Sequence, residues 1–302
     1  MKRRSWKMVT LAAVASVGLS ACTIPSALSA AQNTYGASPY LQVHFTATLT
    51  STDPALASYS TALQHLTFEL NKQSLAGLPI KSSLNQVNQD IVVLHGTTRV
   101  ATIMENKSNL YLNLNFSALT QVPGMGSSAA TLSTLNLLLG QRWIELPFSV
   151  VAQYAHSLAG LTLSRSTIAN GENQLLNAVA TIMAKGSAKP VTGGFVESGS
   201  TAKLVSSLAT VLKALGLQSL SAAKTTGTYS VSVAMSGSTA TGATVNLVVP
   251  TAKYGNETFR LSATFAHQTL AVTTPSSPLV VTPALIKQFG SSAGSILGGA
   301  LG

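Results

Sequence analysis

Residues Tyr40–Thr50 read YLQVHFTATLT and alternate strictly between apolar and polar side chains. The apolar set is Leu41, Val43, Phe45, Ala47 and Leu49. Successive side chains of a β-strand point to opposite faces, so this period of two predicts a half-buried strand. The stretch therefore predicts a sheet with one apolar face and one face rich in hydroxyl groups.

The same period of two continues through the first part of the chain that follows. A break at Asp53-Pro54 and a short helix over residues 55–64 come first. The next predicted strands are centred on residues 66–70, 90–94, 97–104 and 110–114. Turn sequences such as His95-Gly96 lie between them, and short turns between neighbouring strands predict an antiparallel meander.

The middle of the chain has the period of a helix instead. After a short strand within Arg142–Pro147, apolar residues recur at helical spacing in several segments. The predicted helices are residues 127–139, 148–158, 172–185 and 201–215. Glu172 in a first turn and Lys185 in the last turn complement the helix dipole, and Gly186 suits a C-cap.

The period of two then returns and completes the predicted fold. Strands are expected at residues 229–235, 245–249 and 259–265, and a last strand around Leu270 and Val272. Gly237 and Gly242 are expected in a turn region. Strands, then helices, then strands predict an α+β protein. The expected architecture is a curled antiparallel sheet of about nine to eleven strands, a half-barrel with the helices packed on its concave apolar face.

The first 22 residues predict export and lipidation. A basic start, residues 2–7, precedes an apolar run, residues 8–19, that is too short to cross a bilayer, which needs ~20 residues. Leu19-Ser20-Ala21-Cys22 resembles the lipobox of bacterial lipoproteins, and Cys22 is the chain's single cysteine. The resemblance implies that residues 1–21 are removed as a signal peptide and that Cys22 carries diacylglycerol. An ordinary secretory signal with an unrelated cysteine is the alternative.

Lipidation predicts where the protein works and how the rest of the chain is organised. Lipid chains on Cys22 would hold it at the outer, extracytoplasmic face of the cell membrane. Residues 22–39 are then the lipidated N-terminus and a flexible tether, residues 40–289 one domain, and residues 290–302 a flexible Gly/Ser/Ala tail. Without a further cysteine the domain has no internal disulfide and depends on its core.

Composition excludes one class of partner. Four of the 18 basic residues lie in residues 1–21, so the mature chain has 14 Lys and Arg against 8 Asp and Glu, a net charge of +6. These basic residues are scattered singly, which argues against nucleic-acid binding. The scarcity of carboxylates predicts tolerance of acidic surroundings, since few groups would protonate as pH falls.

A further resemblance rests on short motifs and their order. The strand Leu110-Tyr111-Leu112 follows the strand at residues 97–104, and Gln141–Pro147, which reads QRWIELP, precedes a helix. With the lipobox, the tether and the meander, this order resembles the LolA/LolB-like fold of periplasmic lipoprotein carriers and actinobacterial LppX/LprG-type lipoproteins. The resemblance implies a half-barrel with an apolar cavity for acyl chains. It transfers no single ligand-binding residue, because such cavities are simply apolar.

Catalytic motifs in the chain lack the context that catalysis requires. Residues 290–294, GSSAG, fit G-x-S-x-G but lie in the tail, with no His or acidic residue after them. Ser200-Thr201-Ala202-Lys203 fits S-x-x-K without its partner motifs, and Ser200 reads more simply as a helix N-cap.

Metal sites and paired carboxylates are not indicated either. The five histidines, which lack the spacing of metal ligands, are His44, His65, His95, His156 and His267. The carboxylates Asp53, Asp90, Glu145 and Glu172 fall in unrelated elements, so an acid pair of the glycosidase type is disfavoured. The sequence predicts no enzyme, no cofactor and no metal.

These observations predict a membrane-anchored envelope lipoprotein that binds or carries a lipid or glycolipid in an apolar cavity. The alternative is a structural or interaction lipoprotein with a filled core and a hydroxyl-rich protein-binding face. An exported hydrolase ranks third.

Overall fold

The computed structural model describes residues 38–80, 86–106, 108–125, 132–133, 136–137, 140–150, 189–202, 226–237, 239–266 and 271–282. Within these ranges the protein is built on one open, twelve-stranded sheet. The strands are β1 (Tyr40–Thr50), β2 (Leu66–Ser74), β3 (Val87–His95), β4 (Thr98–Glu105), β5 (Asn109–Leu114), β6 (Ile144–Pro147), β7 (Lys189–Val191), β8 (Gly194–Ser200), β9 (Thr228–Ser236), β10 (Thr239–Thr251), β11 (Gly255–Ala266) and β12 (Leu279–Val280). The complete helical elements in these ranges are a 3₁₀ turn (Pro54–Leu56), α1 (Ala57–Gln64) and α2 (Phe116–Leu119).

The sheet is mixed, with the strand order β12-β6-β5-β4-β3-β2-β1-β11-β10-β9-β8-β7. All neighbouring pairs are antiparallel except the last at one edge, where Leu279 and Val280 of β12 pair in parallel with Ile144 and Glu145 of β6. The expectation of a wholly antiparallel sheet is therefore wrong at this edge. β12 follows β11 after a long connection and pairs with β6. A long connection allows a parallel neighbour, whereas a short hairpin requires an antiparallel one.

The predicted meander is confirmed. β1 to β6 lie side by side in chain order, and β1 has the predicted bounds. The predicted short helix is present as the 3₁₀ turn followed by α1. Asp53 caps the 3₁₀ turn, because its Oδ1 accepts a hydrogen bond of 3.0 Å from the N–H of Ala55.

Several elements differ from the sequence-based expectation. β7, β8 and β12 were not predicted, and Val272 lies outside any strand. Gly242 lies inside β10, where the pairing of β10 with β9 shifts register. A Cβ at Gly242 would meet the carbonyl oxygen of Ala263 at 2.7 Å, so glycine here serves a close backbone approach rather than a turn.

The predicted helices lie mostly outside the described residues. The described parts of three of them, which are helical, are residues 132–133, 136–137, 148–150 and 201–202. The segments that lie wholly outside are the signal peptide 1–21, Cys22, the helix 172–185 and the tail 290–302. Packing of the helices on the sheet therefore stays a prediction. In the described ranges, no helix has the length and apolarity needed to span a membrane.

The core lies on one face of the sheet, centred on β1. Val43, Leu261 and Val233, each 2% exposed, belong to its largest buried cluster, and α1 packs Leu63 against this cluster. The rings of Phe45 and Phe68 stack within it, with centroids 5.0 Å apart. We call the side of the sheet that carries Val43 the apolar face.

A C-terminal segment crosses the opposite face of the sheet. Residues 271–282, here called the strap, follow β11 and end at β12, on the far side of the meander. The side chain of Val272 packs against Met104 and Tyr111, whose side chains point away from the apolar face. The N–H of Val272 donates a 2.8 Å hydrogen bond to Gln73 Oε1. We call this side the strap face.

Candidate functional site

The strand register aligns apolar side chains into one continuous row across the apolar face. Each residue pairs directly with the next on the neighbouring strand, so their side chains share a face. The row, here called the stripe, consists of Phe265, Val43, Leu70, Ile91, Ile103, Leu112, Ile144 and Leu279. It crosses the sheet from β11 to the edge strand β12.

Exposure of the stripe rises toward that edge. Val43 is 2% exposed and Leu70 is 7% exposed, whereas Ile103 reaches 37% and Leu279 reaches 38%. The stripe is thus a core row at β1 and a partly open apolar surface from β3 to β12.

A polar row runs beside the stripe on the same face. Lys72 of β2 pairs with Gln89 of β3, which pairs with Glu105 of β4. Gln89 Nε2 donates a 2.7 Å hydrogen bond to Glu105 Oε2, and Lys72 is buried. Gln89 and the carboxyl group of Glu105 therefore lie next to the open part of the stripe, whereas the buried Lys72 lies beside Leu70, and the surface is amphipathic.

A second polar position lies on the apolar face, nearer to the other edge of the sheet. Glu197 of β8 is 2% exposed and pairs with Val231 of β9. Burial raises the pKa of the Tyr229 hydroxyl, and the nearby Glu197 charge raises it further. The Tyr229 ring lies over Gly199, where an added Cβ would meet its Cε1 at 2.8 Å.

The residues singled out in the sequence do not converge on a catalytic centre in the described ranges. His44 Nδ1 lies 3.3 Å from Glu69 Oε1 on the strap face, and the rings of His65 and His95 meet edge to face at 6.3 Å. His156 and His267 lie outside the described residues, as does Cys22. Ser200 ends β8 directly before a helical residue, but Lys203 and the GSSAG motif are not described.

The predicted carboxylates are likewise separated. Asp53 is a cap, and Glu145 Oε1 accepts a 2.8 Å hydrogen bond from Asn109 Nδ2. Asp90 and Glu145 share the strap face, but β4 and β5 lie between them, which places them about 14 Å apart at the usual strand spacing. Glu172 is not described. Among the described residues, no three His, Cys, Asp or Glu side chains group closely enough to hold a metal ion.

Sequence analysis missed both the stripe and its polar row as a site. The alternation of apolar and polar residues assigned the apolar side chains to one face, but it did not show which of these side chains remain exposed to solvent. One signal was present: Leu66, Phe68 and Leu70 alternate in β2, and Lys72 occupies the next apolar-face position. A lysine that breaks an apolar alternation marks a place where the face meets polar groups.

Comparisons with family models, with curated proteins and with solved structures find no match. The likeness to LolA-like lipoproteins therefore stays a prediction from the sequence.

Proposed function

We propose that this protein is a membrane-anchored envelope lipoprotein that holds an acyl-bearing ligand, a lipid or glycolipid, against its apolar face. The observation that carries the proposal is the stripe, which stays apolar across neighbouring strands while its exposure rises to 37% at Ile103 and 38% at Leu279. A row of partly exposed apolar side chains on neighbouring strands fits a ligand or partner site.

The dimensions of the stripe suit a lipid chain. From Leu70 to Leu279 it crosses five inter-strand spacings, about 24 Å at ~4.8 Å each. A hydrocarbon core of ~30 Å is shared by two leaflets, so one acyl chain spans ~15 Å. An extended acyl chain could therefore lie along the open part of the stripe with all of its length in apolar contact.

The polar row supplies a place for the headgroup. Gln89 and Glu105 lie one residue row from the open part of the stripe and offer an amide and a carboxylate, with the buried Lys72 beside Gln89. The predicted helices would then close over the apolar face as the concave side of a half-barrel. This arrangement buries the acyl chain and leaves the polar part of the ligand at the rim.

Native mass spectrometry tests this proposal. The chain from Thr23 onward, purified from a bacterial host, is expected to carry bound masses that organic extraction identifies as phospholipid or glycolipid. Ile103→Glu should lose at least roughly nine-tenths of this lipid, because an ionised group against hydrocarbon is strongly unfavourable. Thr48→Glu is the matched control, since Thr48 is exposed on the opposite face beside Arg260.

A second candidate function is favoured by a specific observation on the strap face. Hydroxyl side chains form a row across five strands: Thr67, Thr46, Ser262, Thr244 and Ser232. Such a row fits the interaction lipoprotein, with this face binding a protein. Wild-type protein without lipid, even after incubation with envelope lipids, would contradict the carrier and favour this alternative.

A further inference from the structure

The described contacts of the strap with the sheet include hydrogen bonds to uncharged groups and apolar packing. Besides the bond from its N–H to Gln73, Val272 accepts a 3.4 Å hydrogen bond at its carbonyl oxygen from Asn88 Nδ2. Farther along, the N–H of Leu279 donates to the carbonyl oxygen of Trp143 at 2.7 Å. Residues 271–282 contain no ionisable side chain. Any response of the strap to pH must therefore come from groups outside the strap.

Asp90 lies in that part of the sheet. Its neighbour along β3 on the strap face is Asn88, its cross-strand neighbour on β4 is Met104, and Gln73 is diagonal to it on β2. All three of these residues contact Val272. The strap thus covers the ring of side chains that surrounds the Asp90 carboxyl.

A chain of side-chain amides ends at this carboxyl. Gln42 Nε2 donates a 3.1 Å hydrogen bond to Asn71 Oδ1, and Asn71 Nδ2 donates a 2.8 Å hydrogen bond to Asp90 Oδ1. An ionised carboxylate only accepts, which fixes the direction of both bonds. Gln42 Oε1 is then left buried without a hydrogen-bond partner. The cost that belongs to the ionised state is the partly buried charge on Asp90.

A neutral Asp90 removes the cost of the charge. A protonated carboxyl donates as well as accepts, so it can donate to Asn71 Oδ1, which lets Asn71 Nδ2 donate to Gln42 Oε1. Both bonds reverse, so the chain stays hydrogen-bonded in either state, and the Gln42 amide exchanges an unpaired oxygen for an unpaired NH₂ group. The preference of the closed strap for the protonated carboxyl therefore comes from the partial burial of the charge.

The charged groups around Asp90 leave this preference in place. Burial raises the pKa of Asp90 most, the hydrogen bond from Asn71 and the Arg99 charge lower it, and Glu69 raises it again. Tyr40 and His44 on β1, Tyr111 on β5 and Glu145 on β6 are the other ionisable groups that the described residues of β1 to β6 place on this face.

We propose that the strap is a proton-controlled latch, closed over a neutral Asp90 and released when this carboxyl ionises and draws water to itself. The inference goes beyond lipid binding, because Asp90 and Val272 lie on the other face of the sheet, although the strap also carries Leu279 of the stripe. Its physical basis is that opening the strap hydrates an ionised carboxylate, whereas a neutral carboxyl gains little from water.

Hydrogen–deuterium exchange of the full chain tests the latch. After correction for the intrinsic pH dependence of exchange, protection of residues 271–282 should be higher at pH 4.5 than at pH 7.5. Each pKa unit by which closure raises the pKa of Asp90 corresponds to roughly a tenfold change in strap opening. Asp90→Asn keeps the shape of the side chain without its charge, and its strap should be equally protected at both pH values.

Further variants test whether Asp90, rather than a neighbouring group, causes the pH dependence of strap opening. His44→Gln should keep the wild-type pH dependence, since His44 is an ionisable neighbour outside the hydrogen-bonded chain. Asn71→Leu should move the midpoint of opening to higher pH, because it removes the hydrogen bond that favours the ionised carboxyl; it tests the latch even if Asp90→Asn fails to fold. Wild-type protection without pH dependence would overturn the proposal. So would wild-type behaviour in Asp90→Asn, or loss of the dependence in His44→Gln.

Discussion

Asp90 shows how one side chain couples the fold to pH. Its carboxyl lies on β3 with Asn71 on one side and Met104 on the other, and Met104 is only 1% exposed. Burial raises the pKa of Asp90 above its ordinary 3.8, even though a hydrogen bond from Asn71 and the Arg99 charge act in the other direction. Desolvation is therefore the dominant effect on this group.

We predict that Asp90→Asn alters stability in a pH-dependent way. The folded-state pKa is raised, so the contribution of this carboxyl to stability is fully present below the unfolded value of 3.8 and is lost as pH rises through the folded value. The variant escapes this loss, so the difference in unfolding free energy between variant and wild type should shift in favour of the variant from pH 4 to pH 7. Urea unfolding at both pH values measures it, and a difference that stays constant would contradict the assignment.

At the scale of an element, the β3–β4 hairpin shows how one residue type suits one backbone conformation. His95 pairs with Thr98, so Gly96 and Thr97 form a two-residue loop, and Gly96 has a φ of +59°. A positive φ at the first loop position is what a type II′ turn requires, and glycine adopts it without steric cost. The predicted turn at His95-Gly96 is therefore confirmed together with its physical reason.

We predict that Gly96→Ala destabilises the protein through this turn alone. No heavy atom lies near an added Cβ, so the effect is conformational, and a left-handed conformation costs an L-residue about 1–2 kcal/mol. Thr97→Ala is the control, because Thr97 is exposed and its φ is not positive. Denaturant unfolding should show a loss for Gly96→Ala only, and equal effects of the two changes would argue against a turn-specific cause.

Elements that sequence analysis missed are those without a clear period. β7 contains Pro190 and spans only Lys189–Val191, and β8 includes Gly194 and Gly199. Edge strands tolerate proline and shortness because one side of their backbone faces no partner. The same features remove the alternation on which strand prediction depends, so β7, β8 and the two-residue β12 could not be recognised locally.

At the scale of the whole molecule, the two faces of the sheet differ in how far their side chains are covered. Ile103 and Met104 are neighbours in β4, yet Ile103 is 37% exposed on the apolar face and Met104 is 1% exposed beneath the strap. The first belongs to the proposed ligand surface and the second to a packed cluster with Tyr111 and Val272. Substitution of Met104 is thus expected to change mainly stability, and substitution of its neighbour Ile103 is expected to change mainly ligand binding.

We predict that Met104→Ala lowers the unfolding free energy by about 2–5 kcal/mol, the usual range for a buried large-to-small change. Ile103→Ala should cost less stability, because its side chain is already partly exposed, but should weaken lipid binding. Thermal unfolding and lipid content by native mass spectrometry measure the two effects on the same samples. Strong destabilisation by Ile103→Ala with unchanged lipid would place Ile103 in a filled core instead.

Local sequence determines the strands and the faces of this protein, because side chains alternate with a period of two along any strand. It therefore predicted β1 to β6, the apolar set around Val43 and the short helix before β2. It also separates Ile103 from Met104, since neighbours in a strand must point to opposite faces.

Which face is covered is decided only by contacts between distant parts of the chain. Val272 lies in the strap rather than in a strand, and its hydrogen-bond partners Gln73 and Asn88 are 199 and 184 positions away. The open end of the stripe likewise depends on the register of strands from both halves of the chain. The order of the strands in the sheet and the covering of its faces arise from pairing and packing between distant parts of the chain. Local periodicity carries no information about either.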